Sequence, residues 1–91
     1  MKYEIYYHDL VLYDDLKKIA SKDKQMIKKA IEEKLMKSPE LFGKPLRKSL
    51  KGFRKLRVGD YRVVFRIEKE SVKIFIIKHR SIVYQLLSTR L

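Results

Sequence analysis

Phe53-Arg54-Lys55-Leu56-Arg57-Val58-Gly59-Asp60-Tyr61-Arg62-Val63-Val64-Phe65 reads as a β-hairpin that gathers cations on one face. Two runs of strand-forming residues flank Gly59-Asp60, a two-residue turn signal. With those two residues as the loop, Val58 faces Tyr61 and Arg57 sits opposite Arg62. Lys55 lies two residues along the same strand and shares their face. Leu56, Val58, Tyr61, Val63 and Phe65 point to the other side. Like charges directly opposite one another in a sheet are destabilising. The Arg57–Arg62 rung therefore implies a use, and the simplest use is an anion held between them.

Outward from this hairpin the chain predicts three meander strands, about Phe53–Val58, Tyr61–Glu68 and Ser71–Ile77. One face is apolar: Leu56, Val58, Tyr61, Val63, Phe65, Ile67, Val72, Ile74 and Ile76. The other carries Lys55, Arg57, Arg62, Val64, Arg66, Lys73 and Phe75, with no glutamate expected there. A turn at Lys69-Glu70 places Ile67 opposite Val72, and the count then brings Arg62 opposite Ile77. His79 and Arg80 leave the third strand beside Arg62, and Tyr84 follows about a turn later. Lys55, Arg57, Arg62, His79, Arg80 and Tyr84 are expected to form one cluster from three segments.

Upstream, Tyr3, Ile5 and Tyr7 alternate with polar neighbours and mark a first strand. Leu12, Leu16, Ile19 and Ala20 recur at helical spacing through about Asp9 to Ala20. Ser21 is placed to cap a second helix whose stripe is Ile27, Ala30, Ile31 and Leu35, and Ser38-Pro39 should end it. Pro39 to Gly52 reads as a loop with basic residues at Lys44, Arg47, Lys48 and Lys51 and room for a short helix or turn, and His79–Leu91 as a short helix or an extended tail. The expected fold is α+β, a small single domain. An N-terminal strand and a helical hairpin pack on one face of an antiparallel sheet.

Charge narrows the partners. The 91 residues carry a net charge of +12. Residues 1–40 are nearly balanced at +1, whereas residues 41–91 hold +11, half of their basic residues being arginine. Such a half points to nucleic acid, an acidic protein, or both. Without cysteine there is no disulfide framework or thiolate metal site, which fits a reducing cytosol. His8 and His79 lie far apart in sequence, so no metal or other cofactor is expected. No apolar run approaches the roughly 20 residues of a membrane span, so no membrane partner is expected and the location is read as cytoplasmic.

The expected cluster has the parts for phosphodiester cleavage. Guanidinium groups bind a scissile phosphate and stabilise the charge of its transition state. Histidine moves protons near neutrality. Tyrosine offers a hydroxyl and a surface on which an unpaired base stacks. In RNA the 2′-hydroxyl is an internal nucleophile, which DNA lacks.

The hairpin motif 53–62, followed by Ile77-Lys78-His79-Arg80-Ser81-Ile82-Val83-Tyr84, resembles the RelE/ParE superfamily of bacterial and archaeal toxins. The resemblance implies a toxin of a type II toxin–antitoxin system with a microbial RNase-like α+β fold. By that resemblance the chain is a ribosome-dependent endoribonuclease acting on mRNA. Arg57, Arg62, His79 and Tyr84 take the catalytic positions, and Lys55, Arg80, Lys51 and Arg66 bind RNA phosphates. The implied partners are the ribosome and a cognate antitoxin with an acidic or mixed acidic and apolar binding segment. Lys78 stands where the family usually has glycine. ParE-like members, which inhibit DNA gyrase, share the scaffold and are the alternative reading, and a nucleic-acid-binding module without activity is a third.

Overall fold

The computed structural model describes residues 2–91, the side chain of Ser49 excepted. Five strands form one sheet: β1 (Glu4–Tyr7), β2 (Lys44–Pro45), β3 (Arg54–Val58), β4 (Tyr61–Glu68) and β5 (Ser71–His79), in spatial order β1-β5-β4-β3-β2. A helical segment, Val11–Asp15 running on into Leu16–Lys18, follows β1. Helix α1 (Ser21–Ala30) continues through a wider turn at Ile31–Leu35. Helix α2 (Pro39–Phe42) is a single turn, and α3 (Val83–Arg90) closes the chain.

The central hairpin has the register its sequence requires, with Val58 opposite Tyr61 and Arg57 opposite Arg62. Gly59 supplies the positive φ of the turn, +58°. Ile67 faces Val72 across the next hairpin, as expected.

Several expectations need correction. The sheet is mixed rather than antiparallel throughout, because β1 pairs with β5 in parallel. The 39–52 stretch holds a short helix, α2, as its reading allows, but also contributes the two-residue edge strand β2, which that reading does not contain. Ala20, in extended conformation, occupies the cap position of α1, and Ser21 is its first helical residue.

The most consequential correction is a bulge. Val64 pairs with Ile76 but Phe65 pairs with Ile74, so Phe75 is an extra residue on β5. Beyond it the register shifts by one. Arg62 faces Lys78, not Ile77, and Tyr61 faces His79. Ile76 leaves the helix-covered face and joins Val64, Phe75, Phe53, Val83 and Leu87 on the other.

The sheet is therefore packed on both sides. Val11, Ile27, Ile31, Leu35, Leu56, Val63, Phe65, Ile74 and Ile77 build the core beneath the helical hairpin. On the opposite face α3 covers the β4–β5 half through Val83 and Leu87, both fully buried. The β3 side of that face stays open.

Asp15 fastens these layers together. Its carboxylate accepts from the Ile77 backbone N–H at 2.9 Å and from Arg90 at 2.6 Å and 3.1 Å. Lys78 Nζ lies 3.1 Å from it and 3.2 Å from Asp14. The first helical segment thus occupies the edge of β5 where β1 has ended. Hydrogen bonds from Lys18, then Lys78, hold the Asp14 carboxyl below its ordinary value.

Candidate functional site

Cations recur on the open face as cross-strand rungs: Lys44 opposite Lys55, Arg57 opposite Arg62, and Arg66 opposite Lys73. Their partners divide them into two groups. Arg66 forms an ion pair with Glu68 and lies 5.4 Å from the ring centroids of both Phe53 and Phe75. Lys78, extending the Arg62 rung, is held by Asp14 and Asp15. Among the described residues no carboxylate pairs with Lys44, Lys55, Arg57 or Arg62.

Those four residues, with Lys34, Leu56 and Phe42, line a cleft of about 330 Å³ at the edge of β3 that β2 leaves uncovered. Five cations around one cleft repel one another, and a polyanion is the ligand that reverses the sign of that energy. Arg62 is held by its own turn, donating from Nη1 to the carbonyls of Gly59 at 3.1 Å and Tyr61 at 2.9 Å. Arg57 is exposed at the rim. Lys55 Nζ lies 5.5 Å from the Tyr84 ring centroid, so the exposed tyrosine of α3 stands next to the cation row. The donor set is cationic throughout and suits an anion, not a metal ion.

Lys55, Arg57, Arg62 and Tyr84 are thus brought together, and His79 is not. It faces Tyr61, its ring edge-on to that tyrosine with centroids 6.0 Å apart, on the helix-covered face. Its Nδ1 accepts from the Ser81 backbone N–H at 3.1 Å, with Ser81 Oγ at 2.8 Å. The neutral ring therefore carries its proton on Nε2. Arg80 is exposed and continues the ladder, its N–H donating to Asp60 O at 2.8 Å. Lys51 lines a separate depression with Phe53, Arg54 and Ile67.

Sequence reasoning missed Lys34, Lys44 and Phe42. They come from the helical hairpin and from a stretch read as loop, and only folding brings them to β3. It also placed no glutamate on this face. Glu68 is there, but six residues along β4 from Arg62, about 20 Å away, and engaged by Arg66.

With fold and cleft described, the comparisons with known proteins fall into place. Residues 5–84 match the family described as the ParE toxin of type II toxin–antitoxin systems. The chain therefore belongs to the RelE/ParE family of type II toxin–antitoxin toxins. Within that family it shows similarity to RelE toxins. It is 43% identical over 54 residues to the toxin RelE of Mycobacterium tuberculosis, a match spanning 57% of this chain and 56% of that relative. Its fold is similar to the toxin–antitoxin complex RelBE2 of the same organism, with a TM-score of 0.80, 29% identity and coverage of 89% of this chain and 94% of that one. A free double mutant of Escherichia coli RelE has the same fold at TM-score 0.74 and 24% identity, covering 100% and 99% of the two chains. No helix among the described residues is long and apolar enough to cross a membrane.

Proposed function

We propose that this chain is a RelE-like mRNA interferase, an endoribonuclease that cuts mRNA on the ribosome and acts in the cytoplasm under the control of a cognate antitoxin. The observation that carries this reading is the five-cation cleft, left unpaired by carboxylates and flanked by Tyr84. Arg57 and Arg62 would grip the scissile phosphate and stabilise the extra negative charge as the 2′-hydroxyl attacks. The products would be a 2′,3′-cyclic phosphate and a free 5′-hydroxyl. Tyr84, its ring beside Lys55, would offer a hydroxyl and a stacking surface next to that phosphate. His79, on the other face, is not positioned for proton transfer in this conformation. Arg80, at the strand end, is the next cation along an RNA path, whereas Arg66 and Lys51 are farther from the cleft. The toxin–antitoxin complexes among similar structures support an antitoxin partner.

The cleft has no element that reads base edges, so the ribosome would have to present and position the RNA. Expression should arrest growth, and primer extension should map cuts within codons of translated messages only. Efficient cleavage of naked RNA would overturn ribosome dependence. A second reading, a ParE-like inhibitor of DNA gyrase, is favoured by the family model that matches and by the absence of His79 from the cleft. Gyrase-linked DNA breaks with intact mRNA would decide for it.

A further inference from the structure

Phe42 is an exposed ring on a firmly anchored turn. Pro39, at the first position of α2, is buried. Gly43 follows the turn and presses on the core, where an added Cβ would stand 2.3 Å from the ring of Phe65. Phe65 is itself fully buried and has no room to yield. Arg54 Nη1 donates to the carbonyls of Gly43 at 3.0 Å and Glu40 at 3.4 Å, and the Gly43 N–H donates to Pro39 O at 3.0 Å. The backbone on either side of Phe42 is thus fixed, while the residue keeps 42% of its surface exposed.

One exposed aromatic is ordinary. This one lines the cation cleft, and Lys34 Nζ lies over its ring at 5.6 Å from the centroid. Cations that track a backbone, interleaved with aromatic faces, are the combination that binds single-stranded nucleic acid. Tyr84 stands beside Lys55, as Phe42 does beside Lys34, so the cation row is interleaved with two aromatic rings. We propose that Phe42 is a stacking platform for an unpaired nucleobase beside the phosphate gripped by Arg57 and Arg62. Lys34 holds one face of the ring and the base takes the other. This rests on reading the cleft as a nucleic-acid site, and it assigns the cleft a base subsite that the charge pattern alone does not contain.

The test measures binding of two short labelled strands by fluorescence anisotropy at fixed low salt. One is oligodeoxythymidine, which has no 2′-hydroxyl and cannot be cut by internal attack. The other is an abasic strand of equal length. Native protein should bind the thymidine strand about tenfold more tightly, the effect of one good stacking contact. Phe42→Leu should lower that preference with abasic affinity unchanged, leaving only what Tyr84 supplies, Phe42→Tyr should keep it, and Arg62→Ala should weaken both strands alike. Equal binding of the two strands by native protein overturns the platform but leaves the anion cleft standing. A preference that survives Phe42→Leu undiminished also overturns it. Native protein that binds neither strand overturns the cleft reading, and the platform with it.

Discussion

Arg62 has a cation on each side, Arg57 across one ladder and Lys78 across the other. Lys78 is neutralised by Asp14 and Asp15, so the unrelieved repulsion lies between Arg62 and Arg57. Arg62→Ala should remove up to about 1 kcal/mol of that repulsion. It also gives up two hydrogen bonds to turn carbonyls, worth about 1 kcal/mol each at most in a half-exposed setting. The two effects oppose, and the unfolding free energy should change by no more than about 2 kcal/mol. Loss of a transition-state cation should lower cleavage on the order of 10²-fold or more. A folded Arg62→Ala protein with undiminished toxicity would remove this residue from the site.

Among the elements, α3 depends most on one distant partner. Arg90, 7% exposed at its side chain, reaches past β5 to Asp15, which is wholly buried, and to the Phe75 carbonyl at 3.1 Å. Arg90→Ala leaves the Asp15 carboxylate with only Lys78 and one backbone N–H. The cost should be roughly 3 kcal/mol, read as a lower urea midpoint, with faster amide exchange across residues 83–90. Unchanged exchange there would mean that Val83 and Leu87 suffice to hold the helix. None of this clamp was legible in the sequence, because Asp15 and Arg90 are separated by 75 positions. The central hairpin was legible because Gly59-Asp60 fixes its register and alternation fixes its faces. The bulge was not, since Ile74-Phe75-Ile76-Ile77 is apolar at every position and no polar residue marks which side each takes. Strand β2 is too short to carry an alternation at all, and the direction of β1 is not encoded in one.

For the molecule as a whole, the governing quantity is the asymmetry of charge. Nearly all of the +12 resides in residues 41–91, and Lys44, Lys55, Arg57 and Arg62, which no carboxylate offsets among the described residues, line a single cleft. An antitoxin whose binding segment is acidic, or mixed acidic and apolar, should be steered toward this surface. Its association rate should fall steeply as ionic strength rises, because the Debye length shrinks from about 30 Å at 0.01 M to about 8 Å at 0.15 M. Stopped-flow mixing at several salt concentrations measures this. A flat on-rate would mean that the cationic cleft is kept for RNA alone and that the antitoxin approaches elsewhere.

The extra residue on β5 carries a lesson about inheritance. What His79 can do depends on which side of the sheet it occupies, and the pairing of β5 with β4 decides that. A chain that kept all nine residues of β5 but paired them without the bulge would set Ile77 opposite Arg62, turning the end of the strand over so that the imidazole joins the Arg62 face and Lys78 leaves it. Relatives that spell the same histidine-arginine-tyrosine ending can therefore differ in whether the histidine meets the substrate. An alignment of letters across 74–79 is blind to that difference, because the bulge lies in the pairing with β4 and not in the residues themselves.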